Sequence, residues 1–208
     1  IITLTPVVSA LVTFGWLMGM MYTTILLDGL DGLVTGLGTI GSLIVFGLTQ
    51  FTPFYQPSVG LLALIFAGAC LGFLIWNWHP ARIFLGEGGS LYVGFILGVL
   101  AIISGAKIAT TLLVVGLPAL DVLWVMVRRH WIGQAISIGD RGHLHHRLLA
   151  TGLGHQVTTV CLLAISLLFG LVTLLANTKG KIMALVGLAL VMVIVRLGLE
   201  CKIKTRSH

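Results

Sequence analysis

Only six acidic residues occur in the 208-residue chain, and their placement is the first indication of chemistry. Leu27-Asp28-Gly29-Leu30-Asp31-Gly32 sets two carboxylates three positions apart, on one side of a helical turn. The glycines beside them let a cation or a ligand come close to the backbone. The plainer reading is a polar turn in which an aspartate caps the following helix. Phe84-Leu85-Gly86-Glu87-Gly88-Gly89-Ser90 places one carboxylate among glycines just before an apolar run. Free amides at a helix start suit an anion, and Glu87 supplies the hard oxygen that Mg2+ prefers. The alternative is a glycine turn with Ser90 as N-cap, and Phe84 either stacks on a planar base or anchors at a membrane interface. Asp140-Arg141-Gly142-His143-Leu144-His145-His146-Arg147 suits a phosphate-rich ligand. Arginine pairs bidentately with phosphate, and histidine gives or takes a proton near neutral pH. A zinc site competes there, without nearby cysteines or an HEXXH pattern to support it; so does a basic loop lying on anionic lipid headgroups. The cysteines at 70, 161 and 201 are scattered and read as reduced packing residues.

The elements that must carry these residues belong in lipid. Hydrophobic residues make up 58% of the chain and charged residues 9%, and mean hydropathy is +1.11. A soluble domain carries about 25% charged residues, so a water-facing surface cannot be covered. A coiled coil, a disordered chain, a secreted disulfide scaffold and a nucleic-acid-binding domain are excluded. Glycine, at 27 of 208 residues, is well above the usual ~7% and fits close helix packing in a bilayer. Seven segments reach spanning length, about 4–22, 33–50, 59–77, 90–106, 108–127, 157–176 and 182–200. The expected fold is therefore all-α, a polytopic bundle of about seven spans forming a single membrane domain over 1–208. Loops 23–32, 77–89 and 128–156 and the C-terminal tail then share a side with eight basic residues, against Lys107, Lys179 and Lys181 on the other. That excess makes the first side cytoplasmic. Asp28, Asp31, Glu87, Asp140 and the histidines at 79, 130, 143, 145, 146 and 155 fall on its loops too, and costly ionisable groups near a membrane are functional by default. Of the remaining polar residues, Asp121 is expected to face the bundle interior and help hold the site. His79-Pro80 reads as a structural span end, Trp76, Trp78 and Trp131 as an interfacial belt, and Arg128-Arg129 as topological anchors. Carboxylates for Mg2+, glycine turns, an aromatic and an Arg/His loop are what a membrane enzyme needs to handle a nucleotide diphosphate beside a lipid. A proton-relay transporter would need its acids at mid-span.

At these residues the sequence resembles the polyprenyl-phosphate N-acetylhexosamine-1-phosphate transferases, bacterial inner-membrane enzymes that couple a UDP-sugar to undecaprenyl phosphate and release UMP. The stretches that carry the resemblance are 28–32, 84–90, Pro118-Ala119-Leu120-Asp121 with Arg128-Arg129, and 140–146, in the family's order across essentially the whole chain. The spacing of His143, His145 and His146 looks like the branch that uses UDP-GlcNAc. The resemblance implies Glu87 as the Mg2+ ligand, with Mn2+ as a substitute ion, and Asp28 and Asp31 as catalytic carboxylates. It also implies Gly29 and Leu30 as backbone contacts to nucleotide, Phe84 as the uracil stack, and His143, His145, His146 and Arg141 at the sugar and diphosphate. Polyprenyl phosphate, a UDP-sugar and the membrane are the implied partners, a homodimer the assembly to look for, and nucleic acid none. The family has Asp at 87 and Asn at 22 and 25, where this chain has Glu87, Tyr22 and Ile25. It also carries an adjacent Asp-Asp pair on an earlier loop, and no such pair occurs here. The chain is accordingly expected to be the C-terminal portion of a larger transferase, the alternative being a degenerate homologue that binds nucleotide-sugar without turnover.

Overall fold

The computed structural model describes residues 5–51, 55–104, 112, 114, 116, 120–121, 124–125, 148–150 and 152–206, with 178, 197 and 199–206 described by backbone alone. Every regular element among them is helical: α1 (Pro6–Leu27), α2 (Leu33–Phe51), α3 (Pro57–Asn77), α4 (Gly86–Ile103), α5 (His155–Leu175) and α6 (Thr178–Arg206). Pro6 and Pro57 open α1 and α3, where a missing N–H costs nothing and the fixed φ already suits a helix. Helices α1 to α5 are long and apolar enough to cross a membrane. The 29-residue α6 contains the 182–200 stretch. Within 108–127 the described residues are helical, and the others lie outside the described set.

Two loops are shorter than hydropathy suggests. α1 runs to Leu27 because Thr23 and Thr24 donate their hydroxyls back to the carbonyls of Gly19 (2.7 Å) and Met20 (3.1 Å). These residues thus satisfy their polar groups without leaving the helix. α4 starts at Gly86, whose φ of +70° turns the chain straight into the helix. Ser90 is therefore inside α4 and is not its N-cap, and His155 and Gln156 belong to α5.

α2 is the axis of the bundle. In its apolar window 78% of residues are buried, against 17–39% in the other four spans, and it packs on α3, α5, α4 and α1. Leu33 and Leu37 from α2 meet Leu97 and Leu100 from α4 and Leu188 from α6 in one core cluster. Lipid tails are as apolar as leucine, so close backbone approach and interhelical hydrogen bonds must hold the spans together. A Cβ at Gly38 would lie 2.9 Å from Cys70 Sγ and 3.1 Å from Val93, on α3 and α4. A Cβ at Gly94 of α4 would meet Thr24 Oγ1 and lie 2.7 Å from the Met20 carbonyl of α1. One turn further along α4, Trp16 Nε1 donates to the Gly98 carbonyl at 3.1 Å. Asp121 is buried, as is Arg196 on α6, and the two form an ion pair with each side chain 2% exposed. The Arg196 guanidinium also sits 5.8 Å from the Trp124 ring centroid. The pair joins the helical residue Asp121 to α6 within the apolar layer.

Candidate active site

The end of α1, the start of α2, the end of α3 and the starts of α4 and α5 meet at one end of the bundle. Their register is set by Asn77, the last residue of α3 and 5% exposed. Its Oδ1 accepts from the Gly32 amide and from Thr35 Oγ1, both at 3.1 Å, while Nδ2 donates to the Ile83 carbonyl at 3.0 Å. One side chain thus fixes the 28–32 turn against the 78–85 connection. Gly32 takes φ +76°, and a Cβ there would press on Trp78 at 3.1 Å and Leu74 at 3.2 Å. Glycine is needed both for the conformation and for the space. Nothing in the sequence singled out Asn77, because its three partners are 6 to 45 positions away.

Asp28 follows α1 directly, and its Oδ2 accepts the Ser90 hydroxyl at 2.6 Å. The two glycine-flanked motifs, 62 positions apart, are thereby in contact. Ser90 Oγ also lies 2.9 Å from the Gly86 carbonyl, so its single proton is shared between two acceptors. Desolvation raises the Asp28 carboxyl above its ordinary range; the Ser90 hydrogen bond opposes that shift and the nearby Asp31 charge adds to it. A carboxylate with a second carboxylate nearby is one that a cation would relieve. Glu87 stands exposed in the first turn of α4, three residues from Ser90. Asp28, hydrogen-bonded to Ser90, and Glu87, three residues before that serine, are both carboxylates, the ligand type a hard divalent ion takes. Phe84 is 76% exposed, so its ring faces are open to stacking. Gly29 is exposed, whereas the Leu30 side chain belongs to the core, which leaves only its backbone for ligand contact.

Asp31 is held differently. Its Oδ2 is 2.7 Å from His79 Nδ1 and accepts the Ala81 amide at 3.2 Å, and its own carbonyl accepts Thr159 Oγ1 at 3.3 Å. The His79 ring stacks on His155, with centroids 4.9 Å apart and planes at 15°, and Gln156 Nε2 donates to the His79 carbonyl at 2.8 Å. His79 lies just past the end of α3, as the sequence suggests, and also makes a polar contact. It binds one of the two aspartates of the 28–32 motif. Trp78 likewise packs beneath Gly32, while Trp76 is half-exposed with Arg82 5.5 Å from its ring. Arg141, His143, His145 and His146 lie outside the described residues, as do Arg128, Arg129 and Trp131.

A multi-pass helical membrane protein with carboxylates and glycine turns gathered at one end of its spans is the class that fold and site define. The chain belongs to glycosyl transferase family 4, whose family model matches residues 1–105. It is 34% identical over 164 residues to a probable undecaprenyl-phosphate N-acetylglucosaminyl 1-phosphate transferase of Bacillus subtilis, covering 75% of this chain and 45% of that protein. It is 34% identical over 221 aligned positions to a decaprenyl-phosphate N-acetylglucosaminephosphotransferase of Mycolicibacterium smegmatis, with 93% and 54% covered. A phospho-N-acetylmuramoyl-pentapeptide-transferase of Moorella thermoacetica is 36% identical over 128 residues, with 58% and 37% covered. The chain spans about half the length of the first two of these relatives.

Proposed function

We propose that the protein works as the C-terminal part of a Mg2+-dependent transferase that moves a sugar-1-phosphate, GlcNAc-1-phosphate in this reading, from a UDP-sugar to polyprenyl phosphate and releases UMP. The observation that carries the proposal is the Ser90–Asp28 hydrogen bond, which joins the 28–32 turn to the glycine-rich start of α4 at one end of the spans. The positive-inside distribution supports a cytoplasmic position for that end, in a bacterial inner membrane. The lipid phosphate oxygen attacks the β-phosphorus of the UDP-sugar, and the bond from that phosphorus to UMP breaks. Asp28 and Glu87 would hold Mg2+, which when bound would supply positive charge to offset that of the diphosphate. Phe84 offers a face to uracil, and the backbone of Gly29 and Leu30 borders the nucleotide. Asp31, fixed by His79 and the Ala81 amide, lines the same turn without freedom to swing away. Arg141, His143, His145 and His146 would engage the diphosphate and sugar, as their residue types suit. The protein's main contributions are position and charge, which dominate phosphoryl transfer.

UMP release by the complete protein tests this. Glu87→Gln and Asp28→Asn should each lower it by about a hundredfold or more, the scale of lost transition-state charge stabilisation. Parental activity in both variants sinks the assignment. Tyr22, Ile25 and Glu87, which depart from the family's residues, favour one second reading, nucleotide-sugar binding without turnover. UDP-GlcNAc binding with no UMP release from the unaltered complete protein would select it.

A further inference from the structure

We infer that Asp31, His79 and His155 form a transition-metal site of the Zn2+ class, separate from the oxygen-only pair of Asp28 and Glu87. The inference does not depend on the transferase reading. One carboxylate oxygen and one ring nitrogen from each histidine all lie within 4.8 Å of one another. Two imidazoles and a carboxylate are a poor set for Mg2+ and a good one for zinc. Tetrahedral ligands at zinc distances are about 3.3 Å apart, so the widest pair would have to close by no more than about 1.5 Å, within the reach of side-chain rotation.

The three side chains also have the outer support that such sites use. Asp31 is fixed by the Ala81 amide and through Thr159, and the backbone of His79 by Gln156. His155 Nδ1 is buried and has no hydrogen-bond partner among the described residues. An unsatisfied buried nitrogen is costly, and the ring that carries it stacks on His79 within the cluster. A metal entering here displaces the proton that Asp31 and His79 now share. It keeps a fourth position open for water, and it clamps three segments that meet only at this end: the 28–32 turn, the 78–85 connection and the first turn of α5. Bound to the folded state alone, it raises stability by mass action.

The test is calorimetric titration of Zn2+ into the purified full chain in detergent, with Mg2+ in excess to fill hard-cation sites. The expected result is one Zn2+ per chain and a higher unfolding temperature. His155→Ala and His79→Ala should each weaken binding by more than about tenfold. Glu87→Gln and the triple variant His143→Ala/His145→Ala/His146→Ala should leave it unchanged. Because His79→Ala also removes a hydrogen bond and risks misfolding, Co2+ titration of the unaltered protein gives a second readout. Visible absorption of four-coordinate Co2+ supports the site. The absence of such absorption, the absence of stoichiometric Zn2+ binding, or loss of binding only in the triple variant overturns it.

Discussion

Gly94→Ala should damage both stability and chemistry, although residue 94 touches no proposed substrate. The added Cβ would lie 2.7 Å from the Met20 carbonyl and 2.9 Å from Met21 Cα, both backbone atoms that cannot swing aside. Ordinary contacts lie at about 3.5–4.0 Å, so α1 and α4 must part by roughly 0.8 Å or more. Overpacking of this kind costs about 1–3 kcal/mol. Ser90 is one turn from Gly94 on α4, and Asp28 ends α1, so the same displacement stretches their 2.6 Å hydrogen bond to about 3.4 Å, near the limit of a hydrogen bond. Misplacement on this scale lowers phosphoryl-transfer rates by about tenfold to a hundredfold. Thermal unfolding in detergent and UMP release by the complete protein read the two effects separately. Gly72→Ala on α3, where a Cβ meets nothing within 4 Å, is the control. It should gain up to about 1 kcal/mol from helix propensity. A Gly94→Ala protein with parental Tm and parental rate would refute the tight α1–α4 contact and its role in placing Asp28.

Three further outcomes follow from polar contacts. Ser90→Ala removes the hydrogen bond that favours ionised Asp28, so the acid limb of UMP release should move to higher pH. Since the folded carboxyl is already raised, its protonated form favours folding, a contribution present below its ordinary value and lost as pH rises through the folded one. Asp28→Asn should therefore unfold at a higher temperature than the parent at pH 7, with the gap shrinking as pH falls toward 3.8; an equal gap at both pH values would contradict the shift. In the apolar layer, Asp121→Leu or Arg196→Met each breaks this buried ion pair and should cost about 3–5 kcal/mol. Asp121→Leu/Arg196→Met should recover most of that loss in the same Tm measurement, and a fully additive double variant would argue against coupling.

Much of this architecture was readable from residue types, because a bilayer imposes one strong rule on spanning segments. The runs at 33–50, 59–77 and 157–176 match α2, α3 and α5 to within about two residues at each end, the usual uncertainty of a helix boundary. α1 runs on past 22 and α4 begins before 90 because threonines and glycines, polar or flexible by type, are helical there. Asp28, Glu87 and Phe84 stood out by chemistry and spacing. The contacts that organise the site did not, because each joins residues far apart in sequence: Ser90 to Asp28 across 62 positions, His79 to Asp31 across 48, Arg196 to Asp121 across 75. Local patterns reveal which residues are costly to bury, whereas packing alone decides which of them share that cost.

The enclosure of α2 bears on how the protein enters its membrane. Of the five spans it is the most enclosed and also the least apolar, carrying Thr35, Thr39, Ser42 and Thr49 among its buried residues. Protein surrounds it on most sides, so it never needed to be a good solute for lipid. During synthesis, however, a segment must partition from the insertion machinery on its own hydrophobicity before its neighbours have packed. Of these five spans, α2 is therefore the one most dependent on its neighbours, above all on the strongly apolar α3. Among the five, the helix at the centre of the finished bundle is the one whose own hydropathy holds it least firmly in lipid.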